Sequence, residues 1–258
     1  METLNCLKVQ YMSDLHIELW GKFRAEIPKC AELLVLAGDI GNIMLPKVKQ
    51  FYKDISSQFE DVVFTFGNHE YYQHSYKEIY TMDQYEEEMK KIAINYPNLH
   101  VLQRAEWIHP SGISFYGCTL WDHNKDNLKN EIIKLMNDYT QIYFEKNLLF
   151  NPDYANMIHA KDKEWLEKMI NKNQSCVIVT HHIPSYKNTI EYILKDVIDF
   201  EKDGILSYLM KDNVKLWICG HSHYQTMTQL NSVPLVINAI GYPNELNFDM
   251  SKTFNVFT

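Results

Sequence analysis

The chain has 258 residues, a length that suits one large α/β domain, or one domain with a modest insertion, and that can bury a sizeable core. Its composition, with 46% hydrophobic and 22% charged residues and no low-complexity block, excludes a largely disordered protein. The formal net charge is -8 and only two of the 25 basic residues are arginines, which argues against a broad surface that tracks the phosphates of nucleic acids.

The cysteines and the apolar runs indicate the cellular compartment in which the protein is expected. The five cysteines are scattered and form no CxxC pair, which indicates reduced thiols inside a cell. The first residues lack the cationic start and long apolar core of a signal peptide. Apolar runs such as LLVLAG at 33–38 are strand-length and far too short to span a membrane. We therefore expect a cytoplasmic protein without a membrane partner.

Short apolar runs alternate with amphipathic stretches in the first part of the chain. LKVQYM at 7–12, LLVLAG at 33–38 and VVFTFG at 62–67 predict strands, because they are short, apolar and rich in β-branched or aromatic residues. PKVKQFYKDISSQF at 46–59 predicts a helix between the second and third strands. A second helix is predicted over about 74–95, where acidic residues come early and lysines come late. The order is typical of βαβ units.

The pattern changes in the middle of the chain. Several short strands over 99–120 follow one another without long helices, which is typical of an antiparallel meander and predicts a mixed sheet. Residues 121–158 are rich in Asn, Asp, Lys and Tyr and break the strand rhythm. We interpret this stretch as an insertion or cap on a single domain that covers residues 1–258. A helix is expected near 160–172.

The βα rhythm returns in the last third of the chain. CVIVT at 176–180 and VKLWICG at 214–220 predict strands, with a pair of helix-like segments at about 189–212 between them. PLVINA at 234–239 and TFNVF at 253–257 predict two closing strands. No internal repeat or flexible linker divides the chain, so a single unit is the simplest account.

Five of the strand-like runs lead into residue types that bind metal ions: VQYMSDLH, LLVLAGD, VVFTFGNHE, CVIVTHH and VKLWICGHSH. The carboxyl ends of parallel strands share one edge of a sheet, so residues distant in sequence converge there. The expected cluster contains Asp14, His16, Asp39, Asn68, His181, His221 and His223. Three of these residues directly follow a glycine, which allows a tight turn and close approach to an ion.

The spacing and chemistry of these residues favour a metal site. Residues two apart on an extended chain point the same way, so the Asp and His of the DxH motif can share one site, as can the two histidines of GHxH. Carboxylate, imidazole and amide donors without thiolate suit Mn, Fe or Zn rather than a structural cysteine site. Seven donors are too many for one tetrahedral ion, whereas one bridging carboxylate lets them fill two sites about 3.5–4 Å apart.

The ordered motifs DxH, GD, GNHE, a later strand-end His and GHxH resemble the calcineurin-like metallophosphoesterases over residues 14–223. The resemblance implies an α/β fold, a four-layer αββα sandwich with mixed sheets, and two divalent or mixed-valence transition metal ions. It implies a metal-bridging hydroxide as the nucleophile for phosphate ester hydrolysis. By this resemblance, one ion is held by Asp14, His16, Asp39 and His223. The other is held by Asp39, Asn68, His181 and His221, with Asp39 as the catalytic bridge.

His69 resembles the family histidine that faces the leaving group, and the implied role is to donate a proton or to stabilise charge. The alternative is a histidine that only supports the ligands or the core. The protein phosphatases of the superfamily carry GDxVDRG, whereas this chain reads GDIGNI at 38–43. Asn42 thus replaces the aspartate that would orient His69, and the adjacent arginine is missing. This departure weakens a phosphoprotein substrate.

Other residues near the motifs have two interpretations each. His182 is a candidate substrate contact, as is Asn68, but His182 could equally be a partly buried residue that fixes the following loop. Trp121 is interpreted as a core residue, with a wall of the cleft as the alternative. Tyr71 and Tyr72 are also interpreted as packing residues rather than as stacking partners of a base or an aromatic leaving group.

The leading function is hydrolysis of a small phosphomonoester or phosphodiester, nucleotide-like esters included. A second hypothesis is a non-catalytic scaffold or binding protein that keeps the fold. A third is a nuclease of the same superfamily, which would use the same metal chemistry with a basic binding surface, and against which the net charge of -8 argues.

Overall fold

Two β-sheets stack face to face at the centre of the molecule. The structure is a computed structural model that describes residues 6–21, 26–73, 75, 78–184, 206–245 and 249–257. The strands are β1 (Cys6–Met12), β2 (Leu33–Ala37), β3 (Asp61–Thr65), β4 (Leu99–Val101), β5 (Ala105–Ile108), β6 (Ser114–Cys118), β7 (Tyr143–Glu145), β8 (Leu148–Leu149), β9 (Cys176–Thr180), β10 (Val214–Cys219), β11 (Gln225–Leu230), β12 (Val233–Asn238) and β13 (Thr253–Phe257). The α-helices are α1 (Pro46–Gln58), α2 (Met82–Ile94), α3 (Lys129–Leu135), α4 (Asp138–Gln141) and α5 (Pro152–Ile170).

Both large sheets are mixed, as expected. The first has the order β13-β1-β2-β3-β4, in which β1 to β4 are parallel and β13 is an antiparallel edge strand. The second has the order β11-β12-β10-β9-β6-β5, with a parallel centre and antiparallel strands β11 and β5 at its edges. A small hairpin, β7 with β8, stands apart from both.

Apolar side chains between the layers account for the stacking. Val35 and Val63 of the first sheet lie in one buried cluster with Val179 and Ile218 of the second sheet, all at most 1% exposed. Helices α1 and α2 cover the outer face of the first sheet, and α5 covers the outer face of the second. Because the central strands β2, β3 and β9 are buried on both faces, they have nearly continuous apolar sequences. The predicted four-layer αββα arrangement is therefore confirmed.

The predicted insertion at 121–158 consists of α3, α4, the β7–β8 hairpin and the start of α5. Its buried residues Ile132, Tyr139 and Phe150 belong to the same apolar cluster as the residues of α1 and α2. The stretch is thus held by burial of apolar surface against the first sheet and its helices. That the chain is one domain with a cap or insertion at about 121–158 stays a prediction.

Several predicted elements differ from the structure in their strand pairing or in the residue at which they begin. β4 pairs parallel with β3 in the first sheet, so the antiparallel meander is wrong for β4 and holds only for β5 with β6. Helix α2 begins at Met82 rather than near 74, because Thr81 and Gln84 form a capping box there. Helix α5 begins at Pro152, where the Asn151 side chain accepts from the backbone N–H of Tyr154.

Two further differences lie near the end of the chain. β11, with the sequence QTMTQL, was not predicted, because its polar residues suit an exposed edge strand and give no apolar run. The predicted helical pair at 189–212 lies mostly outside the described residues, and Ser207–Leu209 within it forms a 3-10 turn. Within the part of the chain that the structure describes, every helix is too short or too polar to cross a membrane.

Candidate metal centre

The strands that precede the predicted ligands end at one side of the sandwich. β1, β2 and β3 are adjacent and parallel in the first sheet, as are β9 and β10 in the second. Ser13, after β1, bridges to Ala239, after β12, which joins the ends of the two sheets. The backbone N–H of Gly220 also donates to the carbonyl of His181 at 2.9 Å. Loops from both sheets therefore meet in one place.

A first group of donors forms around His16 and His223. Their Nε2 atoms lie 3.0 Å apart, and Nε2 of His223 lies 3.5 Å from Oδ1 of Asp14. Nδ1 of His223 lies 2.8 Å from a carboxylate oxygen of Glu245. Because a carboxylate only accepts, it fixes the proton of a neutral His223 on Nδ1 and leaves the Nε2 lone pair toward the group.

A second group forms around Asp39. Nε2 of His181 lies 3.4 Å from Oδ2 of Asp39 and 3.1 Å from Oδ1 of Asn68. Nδ1 of His181 donates to the carbonyl of Ala37 at 2.9 Å, which leaves Nε2 facing the other two. Oδ2 of Asp39 also lies 3.9 Å from Nε2 of His16. Asp39 therefore stands between the two groups.

These atoms are acceptors that face one another. The amide nitrogen of Asn68 donates to Oδ1 of Asp138 at 2.9 Å, so the Asn68 oxygen is the atom turned toward His181 and Asp39. A proton on Nε2 of His181 or a bound cation would satisfy the oxygens of Asp39 and Asn68. Burial opposes a charged imidazole, but the negative charge of Asp39 outweighs it and raises the pKa of His181 to about 10. Such a negative pocket with carboxylate, imidazole and amide donors fits divalent metal ions.

His221 lies beside the second group, on the side of His182. Its ring centroid is 5.1 Å from that of His181 and 4.2 Å from that of His182. Together with Asp122 and His182 it also forms a set whose donor atoms lie within 4.8 Å of one another. Its backbone N–H donates to Oδ1 of Asp14 at 3.0 Å, which ties its loop to the first group. The structure thus gathers all seven predicted residues, with His221 at the margin.

The backbone at these positions is unusual. Five of the seven predicted ligands have left-handed φ angles: Asp14 (56°), His16 (45°), Asp39 (55°), His221 (66°) and His223 (55°). This region costs residues with a side chain about 1–2 kcal/mol each. Strained backbone of this kind gathers at functional sites, where the surrounding structure holds it in place.

Glu70, the last residue of GNHE, holds the ligand loops together. Its carboxylate accepts backbone N–H groups of Asp39 (2.9 Å), Ile40 (2.7 Å), Gly41 (3.2 Å) and Gly67 (2.6 Å). Burial, and after it the charge of Asp39, raises the pKa of Glu70 to about 7. Both oxygens accept, so the ionised form is the one that meets all four donors. The motif contained this residue, but its spacing did not reveal the role.

His69 lies between the metal centre and an open cleft. It is 8% exposed, its backbone N–H donates to Oδ1 of Asp39 at 2.8 Å, and its Nδ1 lies 2.8 Å from Oε1 of Glu18. Burial opposes its charged form, but Asp39 and then Glu18 raise the pKa of His69 to about 9. The cleft has a volume of about 670 Å³. Its walls are formed by Glu18, Leu19, Asn42, His69, Tyr72, Gln73, Asn137, Gln141, Tyr242, Pro243 and Asn244.

The remaining predicted residues divide between core and cleft. His182 is 2% exposed, its Nδ1 lies 3.3 Å from the carbonyl of Thr119, and burial followed by the charge of His181 lowers its pKa to about 3. Direct substrate contact by His182 therefore stays a prediction. Trp121 and Tyr71 are buried and pack in the core as expected. Tyr72 instead stacks on His69, with ring centroids 4.2 Å apart, and lines the cleft.

The chain is similar over most of its length to several known proteins. A mimivirus protein, the uncharacterized protein L509 of Acanthamoeba polyphaga mimivirus, is 28% identical over 263 residues, which cover 93% of this chain and 92% of the relative. The solved structure of the phosphopantetheinyl hydrolase PptH from Mycobacterium tuberculosis aligns with a TM-score of 0.65 and 16% identity, over 92% of this chain and 90% of that one. TT1561 of Thermus thermophilus aligns with a TM-score of 0.52 and 12% identity, over 96% and 91%.

At identities of 16% and 12%, similarity to these two solved structures shows the fold alone. The family model of the calcineurin-like phosphoesterases matches residues 7–225 and therefore includes every strand that carries a predicted ligand. Because this match covers most of the chain, the protein belongs to the calcineurin-like phosphoesterase family.

Proposed function

We propose that the protein is a dinuclear metal-dependent hydrolase of small phosphate esters. The observation that carries this proposal is the convergence of buried groups of Asp39, Asn68 and His181 in one pocket. A pocket that gathers carboxylate, amide and imidazole groups suits a divalent cation.

The proposed ligands follow the two groups. Asp14, His16, Asp39 and His223 would hold one ion. Asp39, Asn68, His181 and His221 would hold the other. When bound, the ions supply positive charge for the phosphoryl oxygens and lower the pKa of water to about 7, as Mn, Fe and Zn sites do.

The protein's own residues orient these donors. Glu245 and the carbonyl of Ala37 fix the tautomers of His223 and His181, and Asp138 fixes the amide of Asn68. His69, at the rim of the cleft, is placed to give a proton to the leaving oxygen of the ester.

The cleft supports a small substrate. At about 670 Å³ it matches the usual size of small-molecule pockets. Tyrosine and amide side chains dominate its walls, and the lining residues that the structure describes include neither Lys nor Arg. This supports a mono- or diester with an uncharged organic group, nucleotide-like or pantetheine-like esters included. A cytoplasmic location is also proposed, because all five cysteines are free thiols.

Removal and return of metal tests the proposal. Hydrolysis of a panel of mono- and diesters should disappear after treatment with a chelator and return with Mn, Zn or Fe, with two ions bound per chain by elemental analysis. A protein that purifies with little metal and shows no turnover under any of these conditions would be the scaffold instead. Salt-dependent binding in a gel-shift assay would favour the nuclease, which the net charge of -8 argues against.

The proposed role of Asn68 leads to a prediction for Asp138, which comes from the predicted insertion. Oδ1 of Asp138 accepts from Asn68 at 2.9 Å and from the hydroxyl of Tyr72 at 2.6 Å. Asp138→Asn should weaken Mn binding at one of the two sites by about 10–100-fold, because a neutral amide accepts more weakly and can present its own NH₂ group, so the amide of Asn68 is held less firmly. Calorimetric titration of metal into the chelator-treated protein measures this.

The matched control for Asp138 is Asp126→Asn, the same change at a residue of the insertion whose side chain is 95% exposed. Equal metal affinity in the Asp138→Asn and Asp126→Asn proteins would show that Asn68 needs no such support.

A further inference from the structure

We propose that Glu18 is the residue that positions His69 for proton transfer to the leaving group. This inference rests on the proposed function, because it assigns a helper to the proton donor of that reaction. Glu18 belongs to none of the five motifs, and follows the DxH motif in a short 3-10 turn, Ile17–Leu19. It is therefore a positioning residue, which acts through His69.

The contact between the two side chains is direct. Oε1 of Glu18 lies 2.8 Å from Nδ1 of His69. A carboxylate can only accept, so Nδ1 of His69 carries the proton of this hydrogen bond and the other ring nitrogen, Nε2, is left for the substrate. The ring contacts of His69 with Tyr72, His16 and Tyr242 are between faces and edges and do not distinguish its two nitrogens. Glu18 does.

Asn42 is engaged elsewhere and does not supply this contact. Its amide nitrogen donates to the carbonyl of Tyr72 at 2.5 Å, and its oxygen accepts from the backbone N–H of Met44 at 2.9 Å. The loop after Asp39 instead makes room for Glu18. A Cβ atom at Gly41 would lie 2.6 Å from Oε2 of Glu18, closer than real Cβ contacts allow. The lack of a side chain at Gly41 therefore leaves the space that the Glu18 carboxylate occupies.

The surroundings of Glu18 leave part of its carboxylate unpaired. Its side chain is only 13% exposed, and its buried Oε2 atom has no hydrogen-bond partner among the described residues. A buried acceptor without a partner costs about 1–3 kcal/mol. Glu18 also lines the cleft together with His69, at the place where the organic part of the ester would lie. A buried acceptor left unpaired beside the proposed proton donor is expected where a carboxylate is kept for a functional site.

The proposed step balances as follows. The oxygen of a water molecule forms a new bond to phosphorus while the bond from phosphorus to the leaving oxygen breaks. The leaving oxygen takes the proton from Nε2 of His69, and the proton that the water loses passes to solvent, from which His69 regains its own. Glu18 keeps the Nδ1 proton in its hydrogen bond throughout and so holds Nε2 toward the leaving oxygen.

Leaving groups of different basicity test the proposal. Glu18→Gln should lower kcat for phenyl phosphate by about 10²-fold and kcat for p-nitrophenyl phosphate much less, because a more acidic phenol leaves without needing the proton. Glu60→Gln, the same change at an exposed residue, is the matched control. Equal losses on both esters would overturn the proposal. Glu18→Asp should give the same pattern and serves if the Gln variant does not fold.

A second measurement needs no turnover. In the zinc-loaded, ¹⁵N-histidine-labelled protein, the Nδ1–H of His69 should give a protected, hydrogen-bonded NMR signal, assigned by its loss in His69→Gln. Glu18→Ala removes the acceptor and should abolish the protection. A His69 Nδ1–H that is unprotected in the unmodified protein, or unchanged in Glu18→Ala, would overturn the inference. If the protein hydrolyses none of the esters, the proposed function fails while this signal still decides the Glu18–His69 contact.

Discussion

Asp39→Asn is expected to lower kcat/KM for p-nitrophenyl phosphate and bis-p-nitrophenyl phosphate by at least about 10³-fold. Oδ2 of Asp39 lies 3.4 Å from Nε2 of His181 and 3.9 Å from Nε2 of His16, so one carboxylate serves both groups of donors. The amide has no charge and can offer only one oxygen. It cannot bridge two cations and also accept the backbone N–H of His69, which Oδ1 of Asp39 accepts at 2.8 Å.

The Asp39→Asn protein should keep its fold, since the strands that carry the site are held by apolar burial. Steady-state kinetics, circular dichroism and metal analysis of the same preparations measure activity, fold and stoichiometry. Asp54→Asn, on the exposed face of α1, is the matched control and should behave like the unmodified protein. Undiminished turnover in a metal-loaded Asp39→Asn protein would contradict the bridging role.

Glu70→Gln is expected to lower the free energy of unfolding by about 3–5 kcal/mol. The carboxylate receives two N–H groups, of Asp39 and Gly67, on one oxygen and two, of Ile40 and Gly41, on the other. A glutamine places an NH₂ group where one of these oxygens stood. Two buried backbone donors then face another donor, and each unsatisfied group adds to the cost.

Urea denaturation of the chelator-treated proteins measures the effect of Glu70→Gln on the fold without any contribution from bound metal. Glu87→Gln, an exposed residue of α2, controls for the exchange of carboxylate for amide and should change the stability by less than about 0.5 kcal/mol. If Glu70→Gln matches this control, the four hydrogen bonds do not hold the loops.

The predicted strands at 33–38, 62–67 and 176–180 agree with the structure because each lies inside the sandwich. Burial on both faces requires an unbroken apolar run, and such a run is visible in the sequence. The ends of these runs were visible for the same reason, since a polar residue directly after a buried strand stands out. β11 could not be found this way, because an edge strand needs only backbone pairing with its neighbour.

The residues that support the site were harder to predict. Glu18, Asp138 and Glu245 are distant in sequence from the side chains that they contact, and they come from a short turn, a four-residue helix and a loop, respectively. Nothing in their own neighbourhood distinguishes them from surface carboxylates, which are common. Their partners are set by how the loops pack over the strand ends. Only the three-dimensional arrangement shows that Glu18, not Asn42, meets His69.

The left-handed backbone at five of the proposed ligands has a consequence for the history of such proteins. Replacing one of these residues would remove a proposed metal ligand, whereas glycine at such a position would relieve about 1–2 kcal/mol of backbone strain. Selection for the proposed activity therefore accounts for keeping this strained backbone. A lineage released from that selection can lose its catalysis and keep its architecture, free to acquire another use.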